Sequence, residues 1–154
     1  MADLVPPIGS LVEAFWANRQ PFGTLATPAP GAWAFGGTAA QADALVRLVN
    51  AGAKSATSSA LWCYESEGEA LPLVGELSIV CDGSGRPHIV LRTTQVDVVP
   101  FEEVPASHAS AEGEGDRSLE HWRREHEAFF RAQLPRGREF TRSMPVVLER
   151  FELE

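Results

Sequence analysis

Ala51-Gly52-Ala53-Lys54-Ser55-Ala56-Thr57-Ser58-Ser59 is the stretch around which the chain is organised: an amphipathic run, Ala39 to Asn50, precedes it and an apolar run follows. Gly52 sits where a helix would stop, because glycine takes the left-handed backbone that ends a helix without steric cost. Just past that stop stand Lys54 and, three residues on, Thr57. Lys54 is the one lysine among thirteen Lys and Arg side chains. Arginine keeps its charge, whereas a lysine taken out of water can give up its proton. A lysine beside a hydroxyl at a helix exit can clamp an anion or serve as base for a nucleophile, with Ser55, Ser58 and Ser59 as alternative hydroxyls. The plain alternative makes Lys54 a C-terminal helix cation and Thr57 the start of a strand.

Outward from that stretch, Thr38 caps a helix through Asn50, and Ala42, Leu45, Val46 and Val49 recur at helical spacing to give one buried face. Upstream, Ser10 to Arg19 predicts a short helix with Ser10 as its cap and Leu11, Val12 and Phe15 as its apolar face. The first eight residues are expected to fray. Pro21 to Gly37, rich in Gly, Pro, Ala and Thr, predicts a loop pinned by Trp33 and Phe35. Downstream, Ser58 to Tyr64 predicts a strand on which Trp62 and Tyr64 share a face. Glu76 to Asp82 alternates as a strand does, and Asp82-Gly83-Ser84-Gly85 signals a hairpin turn. The return strand, Arg86 to Val99, is long enough to bend and let a small sheet curl towards a barrel. Phe101 to His108 reads as a helical turn or short helix. Ser118 caps a helix to Leu134 with Leu119, Trp122, His126, Phe129 and Phe130 as its core stripe, and Val146 to Leu153 closes the sheet. The class is α+β, a mostly antiparallel curled sheet flanked by three or four helices. One domain spans residues 1–154, with residues 9–37 as a helix-and-loop extension.

Hydrophobic residues at 44% and charged residues at 22% are ordinary for a globular domain. A formal net charge of -8 opposes wholesale binding to a nucleic acid duplex, which needs a basic footprint. Cys63 and Cys81 lack metal-ligand spacing, no run reaches transmembrane length and no signal peptide is evident, so a cytoplasmic location with free thiols is expected. No membrane contact, cofactor or metal is expected, and a homodimer is compatible with the sequence.

Four further constellations can carry chemistry. Glu112, Glu114 and Asp116 are spaced by glycines, which leave a carboxylate free to be aimed; the alternative is a solvated acidic loop. His108 and Glu112, four apart, would meet on a helix face, as metal ligands or as a plain contact. Arg131, Arg136, Arg138 and Arg142 form the best local site for phosphate or RNA, offset in sequence only by Glu139; the alternative is a set of solvated side chains. Trp62 and Tyr64 can stack a base, or belong to the core.

Taken in order, Gly52-Ala53-Lys54-Ser55-Ala56-Thr57, Tyr64-Glu65, Val74-Gly75-Glu76, Arg92-Thr93-Thr94, Ala111 to Asp116 leading to Trp122, and Met144-Pro145-Val146-Val147 resemble an ASCH-domain protein of the longer bacterial branch. The resemblance runs from about Phe15 to Phe151. It implies a PUA-like β-barrel flanked by helices, with a cleft for a nucleoside or single-stranded RNA. A small member of the family is an amidohydrolase acting on N(4)-acetylcytidine through a Lys, a Thr three residues later and a Glu after the barrel. These fall on Lys54, Thr57 and Glu112, with Glu114 as the alternative carboxylate. Thr57 would then attack the exocyclic amide with neutral Lys54 assisting and Glu112 handling protons, while Trp62 or Tyr64 holds the base. A longer member is a ribonuclease for single-stranded RNA. On that pattern Lys54 would stabilise a phosphorane, with Tyr64, Arg92 or Arg142 as further donors. A third reading makes the same cleft a non-catalytic RNA-binding module.

Overall fold

A computed structural model describes residues 3–21 and 27–154. The elements follow the order α1 (Gly9–Arg19), β1 (Gly31–Ala34), α2 (Ala39–Asn50), β2 (Ala56–Ala60), α3 (Leu61–Glu67), β3 (Leu77–Cys81), β4 (Pro87–Pro100), a 3-10 turn (Phe101–Glu103), α4 (Ala106–Glu112), α5 (Leu119–Gln133) and β5 (Pro145–Leu153). The strands pair in the order β1-β3-β4-β5-β2. The β3–β4 and β2–β5 ladders are antiparallel and β1–β3 is parallel, so the class is α+β. Five α-helices stand among the described residues, where three or four were expected. None of the described helices is long and apolar enough to cross a membrane.

The chain forms two compact units, one through Arg47 with Leu77–Arg92 and the last two residues, the other of Leu48–Glu76 and Thr93–Glu152. In the first unit, Val12 of α1 packs with Ile79, Cys81 and Val90. The described residues before α1 are tied to the hairpin turn, while the first two lie outside the described residues: Val5 N–H donates to Gly83 O at 3.1 Å and Ile8 N–H to Gly85 O at 2.9 Å. Gly85 permits this approach, because a Cβ there would lie 2.3 Å from Pro6 O. The cap of α1 is the extended Ile8 and not Ser10, since the helix already includes Gly9. Strand β1 lies inside the expected loop. Gly-Ala-Trp-Ala has no β-branched residue to announce a strand, and pairing with β3 imposes the extended form. Two residues on, buried Phe35 meets Trp33 edge-on at 4.7 Å.

The core of the second unit joins Ala60, Val146 and Leu148 of the sheet to Val104, Ala109, Trp122 and Phe130, with Phe101 and Met144. Ser118 caps α5 as its sequence predicts, accepting from His121 N–H at 3.1 Å. The β2–β5 register sets Thr57 opposite Glu149, Ser58 opposite Leu148 and Ser59 opposite Val147. Alternation along a strand then gives two faces. Ala56, Ser58 and Ala60 are buried on the core side, and Thr57 and Ser59 lie half-buried on the other.

The expected strand Ser58–Tyr64 stops at Ala60, and helix α3 begins at Leu61. Gly68 ends α3 with φ 67°, while Glu69 N–H closes back on Tyr64 O at 3.0 Å. Aromatic residues prefer strands only weakly, and this closure decides for a helix. Trp62 and Tyr64 therefore do not share a face: two residues on a helix are separated by about 200°.

Candidate functional site

The site is built in the second unit where the exit of α2 runs against the end of α4. Gly52 takes φ +76°, and Ala53 and Lys54 N–H both turn back to Leu48 O, at 3.0 and 3.1 Å. Ser55 N–H then donates to Ala111 O at 2.8 Å. Gly113 ends α4 at φ +72°, and a Cβ there would lie 2.1 Å from Ala53 O. No other residue allows that approach in a left-handed conformation. The two segments thus hold Lys54 against Glu112 and Glu114, about sixty positions on in the chain.

Lys54 is only 2% exposed. Its Nζ lies 2.9 Å from Glu114 Oε1 and 3.6 Å from Glu112 Oε1. The carboxylates differ in access: the Glu112 side chain is 2% exposed and that of Glu114 27%. Glu112 Oε2 accepts from Ser58 Oγ at 3.0 Å and from the Trp122 indole N–H. His126 Nε2 stands 3.4 Å and His108 Nε2 3.6 Å from the same oxygen. The rings of Trp122 and His126 stack at 4.2 Å, and His126 Nδ1 donates to Trp122 O at 2.9 Å.

Burial alone would raise the Glu112 pKa, but the His126 hydrogen bond and the charges of His126, Lys54 and His108 pull it down to about 2. Burial would lower that of His126; the Glu112 hydrogen bond and charge overcome it and hold His126 towards its protonated form. His108 is lowered to about 4, because burial outweighs the Glu112 charge. Ser58 has one hydroxyl proton, and it goes to Glu112. Its 2.8 Å contact with His108 Nε2 is then Nε2–H donating to Ser58 Oγ. That direction is opposite to the one in which a histidine base activates a serine. Three buried side chains that look like a nucleophilic relay are therefore a carboxylate and its donors.

The geometry sorts the sequence-predicted residues. It brings Lys54, Glu112 and Glu114 together and seats Ser58 among them, whereas Thr57 points to the opposite face of β2, beside Glu149. Alternation along β2 puts Thr57 on the face opposite Ser58, which donates to Glu112. Tyr64 is half-buried near Ser59 and Glu149; burial raises its pKa, partly offset by Ser59. The Trp62 ring lies under the Arg138 guanidinium, 4.5 Å from its centroid, in a cavity also lined by Gly137, Glu139 and Thr141. Arg92, in the first unit, pairs with Glu154, Nε to Oε2 at 2.8 Å. Arg142 is exposed, 3.8 Å from Glu102.

The arginine set is offset by more than Glu139. Arg131 meets Glu127 at 2.8 Å and Arg138 meets Glu65 at 3.7 Å, so the patch is closer to neutral than its sequence suggests. His108 and Glu112 do meet on one helix face, 3.6 Å apart and bridged by the Ser58 hydroxyl, and no three His, Cys, Asp or Glu among the described residues are arranged to hold a metal. Trp122 and His126 were legible only as core; a histidine four residues from a tryptophan within an apolar stripe was the available signal.

Comparison with known proteins matches residues 31–154 to the ASCH domain. The chain is similar in structure to protein EF3133 from Enterococcus faecalis V583, with 36% identity and a TM-score of 0.86 over 96% of this chain and 90% of that one. It is also similar to an ASCH domain from Lactobacillus crispatus JV V101, with 33% identity and a TM-score of 0.75 over 80% and 78% of the two chains. Comparison with curated proteins gives no match. The fold is PUA-like, and the chain belongs to the ASCH-domain family.

Proposed function

We propose that this ASCH-domain protein binds single-stranded RNA or a nucleoside at the Lys54–Glu114 edge of the buried cluster. One observation carries the reading: Lys54 Nζ is bracketed by a sealed carboxylate and a partly exposed one. Glu112 is committed to its donors and fixes Lys54 in place. Glu114 reaches the surface, so a carboxylate acceptor is accessible beside the buried Lys54 N–H donor, which is uncovered when their ion pair opens. That pairing suits the amide-like edge of an unpaired base. The net charge of -8 favours a nucleoside or short single strand over a duplex. Binding of a fluorescent single-stranded RNA, and calorimetric titration with nucleosides, test it. Wild type is expected to bind, and Glu114→Gln to bind about tenfold more weakly with its fold intact. Absence of binding to either probe would refute the reading.

A hydrolytic version is favoured by the 3.6 Å separation of Lys54 Nζ and Glu112, two of the three positions to which the resemblance carries an amidohydrolase. With Thr57 turned away, water is the nucleophile. Glu114 takes a proton from water as its oxygen adds to the exocyclic amide carbonyl. Lys54 N–H stabilises the oxyanion, and the proton passes to the departing amine. Cytidine release from N(4)-acetylcytidine, lost in Lys54→Ala, is the expected result. Cleavage of single-stranded RNA without nucleoside turnover would assign a ribonuclease instead, and binding with neither product a non-catalytic module.

A further inference from the structure

His126 closes the buried cluster on the side away from Lys54, and the binding and chemistry described so far leave it unused. Its Nδ1 lies 2.9 Å from the Trp122 carbonyl oxygen, which can only accept, so Nδ1 carries a hydrogen. Its Nε2 faces Glu112 Oε2 at 3.4 Å. That oxygen already accepts from Ser58 and from the Trp122 indole, as an ionised carboxylate does, so Nε2 carries a hydrogen too. Two acceptors on the two ring nitrogens make His126 an imidazolium. The ring is held in that orientation by stacking on Trp122 at 4.2 Å and by Phe130. Burial pushes the His126 pKa down, and the Glu112 hydrogen bond with the charges of Glu112 and Glu114 more than restores it.

The groups that face His126 are few. Glu112 and His108 come from α4 and Glu114 follows them, while Lys54 stands across Glu112 from the α2 exit. Arg150 of β5 acts on His108. Ser58, Trp122, His126 and His108 all crowd Glu112 Oε2, whereas Lys54 lies on the Oε1 side at 3.6 Å, longer than its 2.9 Å contact with Glu114. Glu112 is thus served by His126, and Lys54 leans towards Glu114. A neutral His126 that keeps its bond to Trp122 O turns a bare lone pair on Glu112. His108 cannot replace it, because its own Nε2–H goes to Ser58. Lys54 is then the remaining cation beside Glu112, in a sealed site where water screens little.

We propose that His126 is a positioning residue that sets, through its proton, which carboxylate Lys54 serves. The imidazolium holds Glu112 and leaves Lys54 with Glu114 at the edge where a ligand binds. The neutral ring yields Glu112 to Lys54, draws the ammonium inward and loosens that edge for a ligand. The link between the two side chains stands on the cluster alone; its effect on a ligand rests on the binding proposed for the Lys54–Glu114 edge.

Lys54 is the one lysine of the chain, so isotope-labelled lysine gives a single set of side-chain NMR signals. Those signals and the His126 ring nitrogens are followed from about pH 6 to about pH 9.5, a window that brackets an ordinary and a raised histidine. In wild type, both ring nitrogens are expected to be protonated at neutral pH, and the Lys54 signals to shift at the His126 midpoint. His126→Gln should abolish that shift, and His121→Gln, which alters an imidazole outside the cluster, should keep it. A neutral His126 at pH 7, a His126 that stays protonated throughout, Lys54 signals that ignore its midpoint, or a shift that survives His126→Gln would each overturn the proposal. The wild-type titration alone decides if His126→Gln does not fold. Affinity for a fluorescent single-stranded RNA is expected to fall about tenfold across the same midpoint, the worth of one hydrogen bond to a charged group. An RNA affinity that is measurable but flat across it would overturn the effect on the ligand. No RNA or nucleoside binding at any pH would overturn the nucleic-acid reading, with the NMR titration still deciding the link between His126 and Lys54.

Discussion

Replacing Glu112 with Gln removes one charge from the buried cluster and keeps its shape. The amide cannot satisfy its neighbours. Ser58 and Trp122 donate to Oε2 and Lys54 lies on the Oε1 side, so either orientation points an NH2 group at a donor. The size of the loss follows from linkage. The Glu112 pKa is lowered from 4.5 to about 2, and each unit is worth about 1.4 kcal/mol, so the folded state holds the carboxylate by about 3 kcal/mol. Breaking a buried charged group by removing one partner costs about 3–5 kcal/mol by mutational experience, which agrees. Urea unfolding at pH 7 is expected to show that loss, and melting to fall by about 6–12 °C for a domain of this size.

The pH dependence separates the Glu112 charge from its volume. A depressed carboxyl pKa gives stability that is complete above pH 4.5 and disappears as pH falls towards 2. His108, lowered from 6.5 to about 4, destabilises over the earlier window from pH 6.5 to 4. Wild type should lose stability in both windows and Glu112→Gln in the His108 window, without the limb below pH 4.5. A loss under about 1 kcal/mol at pH 7, or an unchanged acid limb, would refute the claim that this carboxylate organises the site.

Trp122→Phe keeps an aromatic ring but removes the indole donor to Glu112 and part of the core volume; urea unfolding is expected to show a loss of at least about 2 kcal/mol, the hydrogen bond to a charged group plus the void left behind. Gly113→Ala places a Cβ against Ala53 O at a positive φ; it should cost at least about 1 kcal/mol and speed hydrogen exchange at the Ser55 amide, which bonds to Ala111. Glu149 has a raised pKa because burial outweighs the Thr93 hydrogen bond, with Glu76 adding to the rise. Its folded state binds the proton more tightly than the unfolded chain, so its contribution to stability falls as pH rises from 4.5 through the folded value. Glu149→Gln should therefore be more stable than wild type at pH 8, with the advantage shrinking towards pH 4 in thermal melts.

What the sequence revealed depended on whether the deciding interaction was local. The α2 stop at Gly52, the Ser118 cap, the hairpin turn and the core stripe of α5 are set by neighbours within a few residues, and each appears where its residues predict. Strand β1 and the extended residues before α1 depend on pairing with distant backbone, so composition alone suggested a loop and a frayed end. The helix beginning at Leu61 was concealed because Trp and Tyr favour strands, while its C-terminal closure at Gly68 was passed over. In the site, Lys54 and Glu112 were legible as unusual residues and proved to be neighbours. Thr57 was not legible as turned away, because a spacing of three means one face on a helix and opposite faces on a strand. The place of Glu149 was hidden for a related reason: it alternates with Val147 and Phe151 as any strand residue would, and only the β2 register places it opposite Thr57.

On the binding proposed above, the charges of the cluster also set where a ligand would enter it. Glu112 and Glu114 are balanced by Lys54 and by a His126 held towards protonation, while His108 is held neutral. Removing any buried member leaves another charge without its partner in a medium that solvates charge poorly. Glu114 is the exception, because its side chain is 27% exposed and water can replace what it loses. Its ion pair with Lys54 is therefore the contact that can open without unfolding the rest. A ligand acceptor can take the Glu114 place at Lys54, or a ligand donor can bind Glu114 itself. Glu114→Gln should accordingly cost no more than about 1 kcal/mol in urea unfolding, the range of a partly exposed pair, against about 3 for Glu112→Gln. Equal losses for the two variants would mean that Glu114 is as deeply committed as Glu112, and that the site has no edge at which to exchange partners.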